Sequence, residues 1–477
     1  MNEKFKYLFK NTGLLMIGNF SSKVLVFLLV PFYTRILSTS EYGTYDLLYS
    51  TVQLLFPILS LNIIDGVMRF AINTDHKSLK YIFSTGLRFV TISIILLSIG
   101  TVISAFCFHY DILGKYWTEF ILLYIGYGSY NLSMQFAKGL EDIKGISIAG
   151  VIGTAVMIGG NLIFLLVIDI GLKGYFYAYF LSFAIPTLFL VVKDKMYTYI
   201  ESNLFYYKKD GIGKEMMLYS TPLIFNTLSW NINNVADRYA VTWFQGLDAN
   251  GVYSVAYKVP AILNSIQVIF IQAWQLSAIK EFGDTKGEEF YKSTYNGCHV
   301  IMVLLCSVII GFTRILAKML FAKDFYEAWV FVPTLLLYIV FNTLSGTIGG
   351  VFSATKDAKA IANTAVIGAL TNIVLNIVLV FLCGAEGAAI ATVISSIVIW
   401  ALRIRVSKKY INLDIDYPKH FVAYAILMIQ AVTMTTIMNK LAYIIQVMMF
   451  GILLILNRSL IMEVCDQLAK HRNHSSV

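Results

Sequence analysis

Residues Asn11–Phe70 read NTGLLMIGNFSSKVLVFLLVPFYTRIL, then STSEYGTY, then DLLYSTVQLLFPILSLNIIDGVMRF. Two long apolar segments meet at a short polar turn. Each carries a proline, Pro31 and Pro57, and the first also carries a cation, Lys23, near its middle. Lysine in the hydrocarbon layer costs roughly 2.5–3.5 kcal/mol on insertion scales, so Lys23 is expected to face protein or water rather than lipid. The same plan returns as YSTPLIFNTLSWNINNVADRYAVTWF (219–244), QGLDANGVY (245–253) and SVAYKVPAILNSIQVIFIQAW (254–274). The chain therefore reads as two copies of one unit that opens with this pair.

The composition supports a bilayer setting. The chain has 477 residues, 58% hydrophobic and 14% charged, against about 25% charged in an average soluble domain. That much apolar surface has no place in a water-soluble core, so the expectation is an all-α integral membrane protein. Helices are required because a lipid-facing irregular backbone cannot satisfy its hydrogen bonds. About 14 spans are expected, near 12–36, 44–70, 81–107, 117–138, 146–168, 172–192, 216–244, 252–278, 295–317, 329–353, 360–382, 386–404, 419–438 and 441–461. With the N-terminus in the cytoplasm, 26 of the 37 Lys and Arg fall inside, seven fall outside and four (Lys23, Arg88, Arg238, Lys258) lie within spans. That bias favours both termini cytoplasmic. The outer loop 314–328, with Arg314, Lys318 and Lys323, runs against it. No cleavable signal peptide is visible. The net charge of +9 suits anionic lipid or an anionic cargo. Nucleic acid is not expected as a partner, because the cations sit in short loops.

Three landmarks recur at near-constant offsets. Gly43-Thr44-Tyr45 matches Gly251-Val252-Tyr253, Asp142-Ile143-Lys144 matches Asp357-Ala358-Lys359, and Gly171-Leu172-Lys173-Gly174 matches Gly384-Ala385-Glu386-Gly387. Six spans per copy is an even number, so the copies share one orientation, a parallel repeat. The expected division is a six-helix lobe over 1–200, a linker over 201–215, a second lobe over 216–410, and two further helices with a tail over 411–477. Prolines 31, 57, 222 and 260 are expected to allow bends in the paired helices.

Enzyme signals are poor. There is no phosphate-binding G-x-x-x-x-G-K-[ST], no H-E-x-x-H and no Cys/His cluster, and the six histidines scatter at loops and span ends. The informative residues are charges inside spans. Lys23, Arg88, Arg238 and Lys258 are the candidate cavity cations. Asn19, Asp65, Arg69, Asn231, Asn234 and Asp237 are cavity polar or coupling candidates. Asp65 and Arg69 share a helix face and can pair. Asp237 can meet Lys258 across two helices, and Arg88 can snorkel to the inner surface. Intramembrane amides suit sugar hydroxyls and also glue helices together.

The opening NTGLLMIGNFSSKVLVFLLVPFYTRILSTSEYGTYDL and its echo from Tyr219 to Pro260 resemble the Wzx-type polysaccharide flippases. These belong to the multidrug/oligosaccharidyl-lipid/polysaccharide exporter superfamily. The resemblance covers nearly the whole chain. It implies two six-helix lobes around a central cavity, plus two C-terminal helices. It implies a cargo of undecaprenyl-diphosphate-linked oligosaccharide, moved from the inner to the outer leaflet of a bacterial plasma membrane for O-antigen or capsule synthesis. In related cell-wall precursor flippases, cations in the first, second, third and eighth helices receive the pyrophosphate. Lys23, Arg88 and Lys258 fall in matching helices, and Arg69 lies at the inner end of the second. The resemblance implies no cofactor, with Na⁺ or H⁺ as an open choice of coupling ion. It also makes membrane lipids, a polysaccharide polymerase and chain-length proteins candidate partners. Two rival readings stay open at this point: a cation-coupled multidrug exporter and a membrane-embedded glycosyl polymerase.

Overall fold

The computed structural model describes residues 27–72, 74–107, 111–201, 211–281, 287–355, 357–413, 415–458 and 462. Among these residues there are helices and connecting turns and no strand. The chain divides into two compact units, Met1–Gly251 and Val252–Val477. The first holds α1 (Val30–Ile36), α2 (Thr39–Leu59), α3 (Ile63–Ala71), α4 (His76–Cys107), α5 (Asp111–Gly139), α6 (Ile143–Leu162), α7 (Gly171–Lys193) and most of α8 (Ile212–Ala256). The second holds α9 (Pro260–Glu281), α10 (Gly287–Leu320), α11 (Val332–Ala354), α12 (Ala358–Cys383), α13 (Ala385–Ser407), α14 (Tyr417–Thr436) and α15 (Lys440–Leu456). Among the described residues, seven helices are long and apolar enough to cross a membrane. The number rises to nine if α2 with α3, and the end of α8 with the start of α9, each count as one bent span. The chain is thus a multi-pass, all-helical membrane protein.

The expected span over 44–70 is two helices, bent by 64° at their junction. Pro57 lies in the last turn of α2, and Ser60 Oγ donates to the Phe56 carbonyl at 2.6 Å. Leu61 and Asn62 then take φ values of 52° and 50°. Asparagine tolerates this left-handed region, but leucine there costs on the order of 1–2 kcal/mol. At the start of α2, Ser38 and Glu41 form a reciprocal capping box, which satisfies two of the four amides that open a helix.

The expected spans over 216–244 and 252–278 are also drawn differently. The polar turn QGLDANGVY is mostly helical, and α8 runs through it with one break at Gly246 (φ 86°, ψ −179°). Only a residue without Cβ enters that region cheaply.

The repeat reappears as matched local structure in each unit. Asp142 caps α6 and accepts from the Gly145 amide at 3.1 Å. Asp357 caps α12 and accepts from the Ala360 amide at 3.0 Å. Each aspartate takes a second partner from the end of the repeat: the Lys193 ammonium for Asp142 and the Tyr410 hydroxyl, at 2.7 Å, for Asp357. Gly171 and Gly384 both have positive φ, 55° and 65°, where α7 and α13 begin. The compact units do not coincide with the repeat copies, because α8, which opens the second copy, lies mostly within the first unit.

Candidate functional site

Within the first unit, α8 runs antiparallel to α2 and α3. Contacts follow one another along the pair. A Cβ on Gly66 would lie 2.5 Å from Ser220 Oγ. Asn231 Nδ2 donates to the Gln53 carbonyl at 2.9 Å. Arg238 Nε donates to Asp46 Oδ2 at 2.6 Å. Thr51 Oγ1 and Tyr239 OH share a hydrogen bond of 2.6 Å. Thr39 Oγ1 donates to Asp248 Oδ1 at 2.7 Å, and Asn250 Nδ2 to the Gly43 carbonyl at 3.0 Å. At that end the two repeat-matched glycines meet. A Cβ on Gly43 would fall 2.0 Å from the Leu247 carbonyl oxygen, and one on Gly251 1.9 Å from the Thr39 carbonyl oxygen. Small residues let membrane helices approach backbone to backbone, and polar side chains then bridge them.

Arg238 and Asp46 are the central charges of this polar seam. Their side chains are 14% and 13% exposed, so the pair is neither buried dry nor open to bulk water. A guanidinium presents five donors in a rigid fork, and the recorded contact uses Nε. Asp237, next along the helix, is fully buried. Behind α2 lies a tyrosine cluster. Tyr33 stacks on Tyr42 at 5.0 Å, Tyr45 on Tyr49 at 5.8 Å, and Tyr175 meets Tyr45 edge-on at 4.7 Å. These rings hold α1, α2 and α7 together, a structural use of residues that composition alone leaves open to sugar stacking.

The other expected site residues are distributed as follows. Lys23 and Asn19 lie outside the described residues, as does the side chain of Asn234. Arg88 Nη2 donates to the Glu201 carbonyl at 3.4 Å, beside Ser84, which accepts from the Glu201 amide at 2.7 Å and donates to the Tyr199 carbonyl at 3.0 Å. Arg88 thus ties α4 to the start of the linker. Asp65 accepts from Asn62 Nδ2 at 2.8 Å and Gln135 Nε2 at 3.2 Å. These two amides take the place of the Arg69 pairing that the i,i+4 spacing suggests, and Arg69 itself is exposed. Lys258 is half-buried in the break between α8 and α9.

Four buried groups were not singled out from the sequence. Asp46 is one, although an aspartate inside an apolar run carries the same warning as a lysine does. Arg314, counted above as an outer-loop cation, lies within α10 and is 6% exposed. It donates to the Met434 carbonyl and, at 2.8 Å, to that of Ile437, and it stacks 4.7 Å over Trp329. It therefore satisfies carbonyls that the end of α14 leaves unpaired. Arg403, within α13, is buried and donates to the Ser345 carbonyl at 2.8 Å and to Thr364 Oγ1 at 3.2 Å. His299 and His420, near the starts of two expected spans, stack their rings 3.7 Å apart, both buried, in the second unit. Among the described residues no three His, Cys, Asp or Glu side chains gather as metal ligands.

The backbone is similar to those of several solved structures. A lipid II flippase, MurJ, in an inward closed conformation superposes with a TM-score of 0.67 at 15% identity, covering 94% of this chain and 99% of its own. An inward-facing multidrug resistance transporter of the MATE family, in the MOP superfamily, gives 0.66 at 14% identity, covering 87% and 96%. A MOP superfamily transporter from Pyrococcus furiosus, with a binding pocket of reversed polarity, gives 0.56 at 16% identity, covering 83% and 94%. No curated protein matches the sequence. The chain belongs to the family described as polysaccharide biosynthesis protein, whose profile matches residues 8–275.

Proposed function

We propose that this protein flips a polyprenyl-diphosphate-linked oligosaccharide from the inner to the outer leaflet of a bacterial plasma membrane by alternating access. The termini lie in the cytoplasm and the cargo feeds surface polysaccharide synthesis. The observation that carries the reading is the Arg238–Asp46 pair, a guanidinium within a membrane span that bonds a carboxylate. A diphosphate competes for that guanidinium with two oxygens at once, the geometry at which arginine excels. Lys23, Arg88 and Lys258 are further candidate cations for an anionic cargo. Family membership supports a polysaccharide precursor over an unrelated anion.

An inside-negative potential favours moving two negative charges outward by roughly 2.3 kcal/mol per charge per 100 mV. The potential can then drive transport, with Na⁺ or H⁺ coupling as an addition. The test is reconstitution in liposomes with a fluorescent polyprenyl-diphosphate oligosaccharide, read by the fraction open to a membrane-impermeant quencher. The expected result is faster exposure than in empty liposomes, and faster still with an imposed potential. Exposure at the empty-liposome rate would overturn the proposal.

A further inference from the structure

The first unit contains an apolar groove of about 360 Å³, bounded by α2, α4, α5 and one residue of α8. Its lining is almost wholly hydrocarbon, with Leu47, Leu55 and Leu59 on α2, Leu96 on α4 and Phe120 on α5. Gly100 also lines it, and a Cβ there would meet nothing within 4 Å. Leu96 is half exposed, and its neighbours Ile92, Ile95, Ile99 and Ile103 on α4 are exposed, so the groove opens to the side on which α4 meets lipid. Along α2, Leu47 to Leu59 is 12 residues, which at 1.5 Å per residue is about 18 Å of helix.

The groove's polar members are Thr51 and Tyr239, bonded to each other, and Thr101. The next residue back from Tyr239 is Arg238, and the next back from Leu47 is Asp46. Arg238 and Asp46 thus adjoin lining residues in sequence on both helices. Asp46 is seven residues into α2, about 10 Å from the helix start by the same rise. A glycerophospholipid keeps its headgroup at the membrane interface. It also separates phosphate from acyl chain by a glycerol ester. In a polyprenyl diphosphate the phosphate is joined directly to the hydrocarbon. Such a lipid can lay its first isoprene units in the groove while its diphosphate reaches Arg238.

We infer that the α2–α4–α5 groove is a binding subsite for the phosphate-proximal isoprene units of a polyprenyl diphosphate. The inference rests on the flippase reading and names where in the first unit the hydrocarbon of that cargo is held.

The test uses the full chain in phosphatidylglycerol-containing liposomes with a polyprenyl diphosphate bearing a diazirine near the phosphate, cross-linked by light and mapped by mass spectrometry. Labelling is expected in α4 and α5 peptides, competed by unlabelled polyprenyl diphosphate and not by added phosphatidylglycerol. Gly100→Phe fills the groove at a point where the structure has room, and is expected to weaken labelling about tenfold, as 1.4 kcal/mol of lost binding would. Gly159→Phe, on α6 and equally unobstructed, is expected to leave it unchanged. Unfolding of both variants is monitored in parallel, so a folding defect is recognised directly. Competition by phosphatidylglycerol, or full labelling in folded Gly100→Phe, overturns the subsite. Competable labelling confined to other helices overturns the groove and leaves the flippase reading intact. An absence of competable labelling anywhere overturns both.

Discussion

Replacing Gly43 by alanine adds one methyl group at the tightest helix approach described. That Cβ would lie 2.0 Å from the Leu247 carbonyl oxygen and 2.9 Å from the Gly251 amide. Backbone atoms cannot swing aside, so α2 and α8 have to part by more than an ångström. The hydrogen bonds from Thr39 to Asp248 (2.7 Å) and from Asn250 to Gly43 (3.0 Å) then stretch beyond useful length. Two lost hydrogen bonds cost about 0.5–1.5 kcal/mol each, and overpacking adds about 1–3 kcal/mol. The expected destabilisation is therefore about 2–6 kcal/mol, measured by equilibrium unfolding in micelles of rising SDS fraction. Gly251→Ala is expected to cost a similar amount, because its Cβ would strike the Thr39 carbonyl. The double variant is expected to cost clearly less than the sum, since one separation of the helices relieves both clashes and sites in contact do not add. Gly159→Ala serves as the unobstructed control. A Gly43→Ala protein within about 0.5 kcal/mol of the parent, the range of an inconsequential substitution, would refute the described crossing. Strict additivity of the pair would refute the shared mechanism.

The Asp46–Arg238 pair is expected to show a coupling of about 1–3 kcal/mol in a double-mutant cycle of Asp46→Asn and Arg238→Gln, and a coupling near zero would mean the pair is incidental. Arg314→Lys keeps the charge but loses the fork that reaches two carbonyls and the face of Trp329. It is expected to destabilise the chain by about 2–4 kcal/mol in the same assay, as loss of a buried charged hydrogen-bonding group does. Hydrogen bonds from Tyr410 and the Ala360 amide hold the Asp357 carboxyl below its ordinary range. Burial works against the Asp142 carboxylate, but Lys193 and the Gly145 amide outweigh it and lower its pKa. Groups with depressed folded-state pKa values contribute stability above their unfolded value, about 3.9, and lose it as pH falls through the folded value. The gap in melting temperature between the parent and Asp357→Asn is therefore expected to be full at pH 6 and to close towards pH 3. A gap that widens on acidification would contradict the assignment.

The fold class was legible because hydropathy, charge bias and repeat all act over long stretches. The capping aspartates could be matched from sequence because a cap is local chemistry: one side chain and the amide three residues on. The bend after Pro57 was readable as a capacity, but its place at Leu61–Asn62 depends on which residues accept left-handed backbone. The helical path through QGLDANGVY was not readable. Its Gly, Asp and Asn residues signal a turn when taken alone, and only contact with Gly43 and Thr39 makes a helix the better use of them. Side-chain pairing was the least accessible level. Asp65 has Arg69 one turn away, yet Gln135, distant in sequence, reaches it. Arg238 has Asp237 beside it, yet bonds Asp46, 192 residues back. Helix neighbours that far apart are chosen by tertiary packing, which a single sequence does not display.

The fork of Arg314 has a consequence for the chain's final 60 or so residues. A hairpin added to a finished bundle should be removable, leaving a smaller protein that still inserts. Here α10 sends its guanidinium into the end of α14, so truncation before Tyr417 would strand a cation in hydrocarbon with no carbonyl to receive it. Insertion scales set roughly 2.5–3.5 kcal/mol against such a charge. The last hairpin is therefore a keystone rather than an accessory, and lineages that shed it would first have to surrender the arginine.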